Sequence, residues 1–188
     1  FYNTFKENME KRGTMQQGEA FITTRSEAET EYIGTLLGKY LQRPLVVALY
    51  GELGSGKTVL VRGAAAGLGA ADRVSSPSFV LMKIYQGRLP IYHFDFYRLE
   101  DPAELDELGL EEYLPGEGIA FVEWAGRFPG ELPPERLDIR IENYGEQGSN
   151  SRRLWFEPHG DRAAAVVDNL IENITWRIDG TLNMIPLN

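Results

Sequence analysis

The chain of 188 residues predicts a single α/β domain in which helices flank a mixed β-sheet. Apolar runs of strand length alternate with segments of helical periodicity, which is typical of a sheet covered by helices. Two pairs of strand-like runs are joined by short polar turns. Because short turns join antiparallel strands and parallel strands need a longer crossover, we expect antiparallel hairpins within the sheet.

The first predicted elements are a helix, a buried strand and a second helix. Ser26 and Glu29 have the spacing of a capping box, and apolar residues then recur at helical spacing to about Leu41. Residues 45–50 form an apolar run that predicts a buried strand, and residues 59–68 predict a second helix that ends among glycines.

The remaining predicted elements are two hairpins, a short helix, a buried strand and a final helix. The hairpins are predicted at 79–85 with 89–97 and at 137–143 with 152–157. The short helix is predicted at 102–110, the buried strand at 119–124 and the final helix at 161–172.

The predicted domain organisation is simple, because no linker or internal repeat divides the chain. Residues 1–14 are polar, lack clear periodicity and precede Met15, so we interpret them as an N-terminal arm or an artificial extension. Residues 15–175 form the predicted single domain. Residues 176–188 form the predicted C-terminal tail.

Composition limits the classes of function. The formal charge of -9 disfavours strong direct binding to nucleic acid, which requires a basic surface to displace counterions. The absence of cysteine excludes disulfides, thiolate nucleophiles and zinc–cysteine sites. Apolar runs are too short to span a membrane, and the N-terminus lacks the apolar core of a secretory signal, so we expect a cytoplasmic protein with no membrane partner.

The strongest chemical signal lies between the first predicted strand and the second helix. It consists of Gly51, Glu52, Leu53, Gly54, Ser55, Gly56, Lys57 and Thr58, followed by Val59. Glycines allow backbone N–H groups to turn toward phosphate oxygens, and the helix N-terminus adds positive potential. We expect Lys57 to reach the β and γ phosphates of a nucleotide and Thr58 to bind magnesium. The predicted fold class is therefore a P-loop NTPase-like α/β domain.

Two carboxylates follow predicted strands and are candidates to complete this site. Asp95 follows the run at 91–94, and Glu123 ends the apolar run at 119–122. The carboxyl ends of strands deliver side chains to the ligand crevice of an α/β sheet. From the residues alone, a turn or capping role for Asp95 and a solvated strand end for Glu123 stay open.

Taken in order, four segments resemble the TsaE (YjeE) family, which supplies the ATPase of bacterial tRNA threonylcarbamoyladenosine biosynthesis. The segments are 51–58, Ser76-Pro77-Ser78-Phe79, 92–99 and Val122-Glu123-Trp124. The resemblance covers roughly residues 20–172. The family often has threonine where Ser78 stands, and serine keeps the hydroxyl that could contact phosphate or metal.

The resemblance implies roles for the site residues and for partners. The catalytic residues would be Lys57, Asp95 and Glu123. Magnesium would be bound by Thr58, Asp95 and Glu123, and Trp124 would lie beside the bound ATP. The implied partners are TsaD and TsaB, which would hold the tRNA, and this chain would be an ATP-driven accessory that resets them between turnovers.

Two other functions stay open at this point. A small P-loop kinase would phosphorylate a metabolite or nucleoside, although no arginine-rich lid is evident. A nucleotide-gated binding module would hold ATP with negligible turnover. A GTPase is disfavoured because the chain has no Asn-Lys-x-Asp sequence.

Four further residues carry weaker expectations. We interpret His93 as a packed or partly exposed strand histidine, and Trp155 and Trp176 as packing residues. Arg98 could contact phosphate or a partner, or pair with a nearby acidic residue.

Overall fold

The computed structural model describes residues 20–107, 109–114, 116–145 and 150–174. Its strands are β1 Ala20–Thr24, β2 Leu45–Tyr50, β3 Met82–Gln86, β4 Pro90–Asp95, β5 Ile119–Glu123, β6 Arg136–Asn143 and β7 Arg152–His159. Its α-helices are α1 Glu27–Tyr40, α2 Lys57–Gly67, α3 Ala103–Glu107 and α4 Asp161–Glu172. The predicted terminal segments, 1–14 and 176–188, lie outside the described residues.

The seven strands form one sheet in the order β1-β7-β6-β2-β5-β4-β3. Strand β2 is parallel to β5 and β6, and β4 is parallel to β5. The pairs β3–β4, β6–β7 and β1–β7 are antiparallel. The predicted mixed sheet with two antiparallel hairpins is confirmed.

Helices cover the two faces of the sheet unequally. One buried cluster joins α1, α2 and α4 to the sheet through residues such as Leu37, Leu60 and Leu170. A second cluster lies on the opposite face, where α3 and short 3₁₀ turns cover β2, β5 and β4. Successive residues of β2 belong to different clusters, as the alternation of side chains along a strand requires. The central strands are therefore buried on both faces.

The structure changes several of the predicted strand boundaries and adds a strand. The strand predicted at 89–97 ends at Asp95, and the strand predicted at 152–157 continues to His159. The run at 79–85 becomes a strand only at Met82, because Val80 and Leu81 donate backbone hydrogen bonds to the Pro77 carbonyl in a tight turn. Trp124 leaves β5 with a φ of 60° and begins a 3₁₀ turn. Strand β1 was not predicted, and it joins the sheet at its edge through β7.

Within the described part of the chain, α1 is the longest helix, with 14 residues. No described helix has the length and apolar character that crossing a lipid bilayer requires.

Candidate functional site

The predicted phosphate-binding loop connects β2 to α2. Its backbone has positive φ at Gly51 (144°), Gly54 (78°) and Gly56 (106°), a region that side chains with a Cβ rarely adopt. A Cβ on Gly51 would lie 2.3 Å from the backbone oxygen of Ile141. The glycines at these positions are therefore required by the shape of the loop.

The N-terminus of α2 presents backbone donors at this loop. The first of its N–H groups with a backbone acceptor belongs to Leu60, which bonds to the Gly56 carbonyl at 3.0 Å. The N–H groups of Lys57, Thr58 and Val59 precede it, as at any helix N-terminus. These donors and the helix dipole favour an anion at this position.

Lys57 lies inside the loop with 4% of its surface exposed. Its Nζ donates hydrogen bonds to the carbonyl oxygens of Gly51 (2.7 Å) and Glu52 (2.9 Å). The same atom lies 4.1 Å from the ring centroid of Trp124. Burial lowers the pKa of the Lys57 ammonium, while the carboxylates of Glu123 and others nearby act in the opposite direction.

Arg152, which sequence reasoning missed, supports the loop from β7. Its Nε donates to the Ser55 carbonyl at 3.0 Å, and a Cβ on Gly56 would lie 2.8 Å from the same Nε. In a trans peptide the C=O and the following N–H point in opposite directions. Arg152 therefore helps to orient the Gly56 N–H away from itself.

Asp95 and Glu123 are brought together as the strand pattern predicts. They are register partners on the parallel strands β4 and β5, and they lie at the same edge of the sheet as the loop after β2. Both are buried, with 2% and 3% exposure. The Thr58 hydroxyl donates to Glu123 Oε1 at 2.7 Å, so the loop and β5 are directly connected.

Asp95 is engaged by the loop that precedes β3. Its Oδ2 accepts hydrogen bonds from the hydroxyls of Ser76 (3.0 Å) and Ser78, and its Oδ1 accepts one from the Tyr97 N–H at 3.0 Å. The Ser78 hydroxyl, for which the sequence left a phosphate or a metal contact open, thus lies beside the carboxylate that is predicted to bind the metal. Ser76 and Ser78 also contact each other at 2.6 Å.

The structure changes the interpretation of His93. Its ring is fully buried, and Nε2 lies 2.9 Å from Glu123 Oε1. The histidine is packed, as the sequence predicts, but its contact with Glu123 was not predicted. The available signal was strand parity, since His93 and Asp95 are two residues apart and therefore share one face of β4.

The other weaker expectations have mixed outcomes. The Arg98 guanidinium lies 4.3 Å from the Phe79 ring centroid, and within the described residues it forms no ion pair. Trp155 packs against Phe21 with ring centroids 4.7 Å apart, as expected. Trp176 lies outside the described residues.

A separate cluster of titratable groups on β6 and β7 is an ion-pair network. Asp138 lies within 3.0 Å of His159 Nε2, and Glu157 is nearby. Arg136 donates to both carboxylate oxygens of Asp138, at 2.8 and 3.1 Å. Because Arg136 already neutralises Asp138, we do not assign a metal to this cluster.

Four features lie together at one edge of the mixed sheet. They are a loop with glycines at positive φ, a buried lysine, a helix N-terminus and two carboxylates at strand ends. Together with the order of its strands, these features define a nucleotide-binding protein of the P-loop class.

Comparison with known proteins identifies the family. The chain belongs to the TsaE family, because the family model described as "Threonylcarbamoyl adenosine biosynthesis protein TsaE" matches residues 24–154. The tRNA threonylcarbamoyladenosine biosynthesis protein TsaE of Bacillus subtilis (strain 168) is 40% identical over 148 residues, which cover 78% of this chain and 90% of that protein. The protein of the same name from Treponema pallidum (strain Nichols) is 39% identical over 118 residues, covering 63% and 87%.

A solved structure supports the same assignment. The crystal structure of Bacillus subtilis YdiB superposes with a TM-score of 0.69 at 32% sequence identity, covering 85% of this chain and 98% of that chain. The family resemblance and the P-loop fold class expected from the sequence are both confirmed.

Proposed function

We propose that this protein is a magnesium-dependent ATPase that acts in the cytoplasm with TsaB and TsaD during threonylcarbamoyl modification of tRNA adenosine. The observation that carries the proposal is the hydrogen bond of 2.7 Å between Thr58 Oγ1 and Glu123 Oε1. It joins the hydroxyl expected at the metal to the carboxylate expected to act on water. A loop that bound phosphate without magnesium or hydrolysis would not need this carboxylate.

The residues present fit a magnesium nucleotide. Lys57 and the N–H groups at the start of α2 would hold the phosphates, because ammonium and amide donors match phosphate oxygens. Thr58, Asp95 and Glu123 would supply the oxygen ligands, direct or through water, that magnesium prefers. When bound, the metal neutralises charge on the phosphates and fixes their orientation.

Glu123 would do the chemistry that distinguishes hydrolysis from binding. Its carboxylate is held at Oε1, and Oε2 receives no hydrogen bond from the described residues. A carboxylate with one free oxygen can orient a water molecule for attack on the terminal phosphate. Asp95, whose carboxylate accepts hydrogen bonds from the hydroxyls of Ser76 and Ser78, would help to hold the metal.

The proposed partners follow from the family and from charge. TsaE relatives carry tRNA threonylcarbamoyladenosine biosynthesis in their names, while this chain has a formal charge of -9. An acidic protein is poorly suited to hold tRNA by itself. We therefore propose that TsaB and TsaD hold the tRNA and that this chain supplies ATP hydrolysis to them.

The test compares Glu123→Gln with the unsubstituted protein. Phosphate release is measured for each protein alone, with nucleoside acceptors, and with TsaB and TsaD, and affinity for the analogue AMPPNP with magnesium is measured by calorimetry. We expect Glu123→Gln to bind the analogue and to lose turnover by about a hundredfold, as is typical of a positioned acid–base group. Glu172→Gln, at an exposed carboxylate at the end of α4, is the matched control.

The possible outcomes separate the competing functions. Transfer of phosphate to a nucleoside would favour a kinase. Tight analogue binding without turnover under any condition would favour a nucleotide-gated binding module. Full activity of Glu123→Gln would remove the proposed role of this carboxylate.

A further inference from the structure

We propose that His93 is a positioning residue that holds the Glu123 carboxylate in the orientation required for ATP hydrolysis. This inference rests on the proposed function and adds a residue to its machinery. The hydrogen bond between these two buried side chains is present in the resting protein, so it can be measured without turnover.

Two donors lie within hydrogen-bond distance of Glu123 Oε1, and we call this pair of contacts the clamp on Glu123. Thr58 Oγ1 lies 2.7 Å from this oxygen and His93 Nε2 lies 2.9 Å from it. Because a carboxylate oxygen accepts, Nε2 of His93 must carry the hydrogen of this bond. Two donors from different elements, α2 and β4, restrict the rotation of the carboxylate far more than one donor could.

The two donors are not equivalent, which is why His93 matters. Thr58 has a rotatable hydroxyl whose oxygen is also expected at the metal, so its geometry depends on what is bound. The His93 ring lies on β4 and is fully buried, and a close-packed interior limits the rotation of a buried ring. His93 therefore holds Glu123 in the same orientation whether or not the loop is engaged with a ligand.

The pattern of contacts on the ring favours this role over simple packing. Nδ1 of His93 is buried and has no hydrogen-bond partner in the described structure. Burying a polar atom without a partner costs free energy, and an apolar residue at this position would avoid that cost. The polar group that the ring does satisfy is the carboxylate at the site, so Glu123 is the contact that justifies a histidine here.

The first experiment measures the contact directly. The chain contains two histidines, so long-range ¹H–¹⁵N correlation spectra of the imidazole rings can be assigned with a His159→Gln variant. We expect His93 to show the tautomer protonated at Nε2, and we expect Glu123→Gln to shift the Nε2–H resonance. A ring protonated only at Nδ1, or a resonance unmoved by Glu123→Gln, would overturn the inference.

The second experiment separates positioning from packing. His93→Leu removes the donor, and we expect it to lower kcat by about 10–100-fold, the range typical of residues that orient a functional ligand. Affinity for AMPPNP with magnesium should stay close to that of the unsubstituted protein. His93→Gln places an amide N–H near the position of Nε2 and should restore most of the lost turnover.

Phe94→Leu is the packing control, because Phe94 is the fully buried neighbour on the same strand and belongs to the opposite face. Thermal unfolding of every variant checks that the fold is retained. Unchanged kcat in His93→Leu, an equal loss in Phe94→Leu, or no recovery in folded His93→Gln would each overturn the positioning role. If the unsubstituted protein releases no phosphate even with TsaB and TsaD, the proposed function fails, and the ring spectra still decide the His93–Glu123 contact.

Discussion

Lys57 shows how a single side chain links the loop to the rest of the site. Its ammonium satisfies two carbonyl oxygens of the loop and lies over the Trp124 ring at 4.1 Å. Burial lowers the pKa of the Lys57 ammonium, because the charged form has lost contact with water in this loop. Phosphate oxygens would supply the missing stabilisation, so we expect nucleotide binding to raise the pKa of Lys57.

Replacing this ammonium tests the phosphate-binding assignment. We expect Lys57→Ala to weaken binding of AMPPNP with magnesium by at least about 10–100-fold, the value of one or more hydrogen bonds to a charged group. The fold should persist, and circular dichroism would verify this. Lys39→Ala, at an exposed lysine in the last turn of α1, serves as the control for removal of a positive charge. Unchanged affinity in folded Lys57→Ala would contradict the assignment.

At the scale of elements, the close contact between α1 and α2 holds the phosphate-binding helix in place. A Cβ on Gly34 of α1 would lie 2.2 Å from the Leu60 carbonyl oxygen, and a Cβ on Gly63 of α2 would lie 1.9 Å from the Glu31 carbonyl oxygen. Such distances require the two backbones to separate if any larger residue is introduced. The glycines therefore set the position of α2, and with it the position of the loop.

The first prediction at this scale is that Gly63→Ala destabilises the protein. Alanine favours helices over glycine by about 1 kcal/mol, so the substitution would stabilise an isolated helix. Here the new methyl group meets backbone rather than a flexible side chain, and we expect overpacking to lower the free energy of unfolding by about 1–3 kcal/mol net. Denaturant unfolding measures the change.

The control for this substitution is Gly130→Ala. A Cβ on Gly130 would have no atom within 4 Å, and its φ is not in the left-handed region. We expect a change within about 0.5 kcal/mol, as for surface sites generally. A stabilised Gly63→Ala protein would show that the helices are not in close contact.

The second prediction at this scale concerns the ion pairs that bridge α1 and α2. Arg62 contacts Glu31 at 2.7 Å and Glu27 at 2.8 Å, and its hydrogen bond lowers the pKa of Glu31 below the ordinary value of 4.5. A lowered carboxyl pKa stabilises the fold above the unfolded pKa, and this contribution is lost as pH falls through the folded pKa. The pair of Arg62 and Glu31 should therefore contribute its full stabilisation at neutral pH. This contribution should be lost as the pH falls through the lowered pKa that Glu31 has in the folded protein.

We expect Arg62→Gln to lower the free energy of unfolding by up to about 1 kcal/mol at pH 7, since both acidic partners are partly exposed. The difference from the unsubstituted protein should shrink as the pH falls below the ordinary glutamate pKa. Urea unfolding at several pH values measures this. Arg43→Gln is the control, because Arg43 is exposed and forms no ion pair among the described residues. If the destabilisation by Arg62→Gln grew in acid, the assignment of the ion pairs would be wrong.

At the scale of the whole molecule, charge and architecture indicate how the protein can use a nucleotide. The fold brings the loop and both carboxylates to one edge of the sheet, whereas the chain as a whole is acidic. An acidic surface repels the phosphate backbone of RNA. In the proposed function, protein partners are therefore the route by which ATP hydrolysis would affect tRNA.

We therefore expect weak binding of this protein to tRNA alone at physiological salt, measured by filter binding. We also expect slow ATP turnover by the isolated chain and clear stimulation when TsaB and TsaD are both present. Tight binding to tRNA without partners would contradict the expectation from charge. A turnover rate that the two partners leave unchanged would argue against the proposed complex.

The sequence by itself determined the local parts of this description. The spacing of Gly51, Gly54 and Gly56 before Lys57 encodes a loop whose backbone conformation depends on those residues themselves, and apolar runs that end in Asp95 or Glu123 mark strand ends. Because parallel strands end at a common edge, the meeting of these groups followed from local patterns and one rule of sheet geometry.

Only the tertiary structure decided which side chains meet across large separations in sequence. Arg152 and Ser55 are 97 residues apart, Thr58 and Glu123 are 65 apart, and His93 and Glu123 are 30 apart. Periodicity reveals which face of an element a residue occupies, but the partner on a neighbouring element depends on strand order and register. Those are set by the packing of the whole core, and so the clamp on Glu123 became visible only in the folded chain.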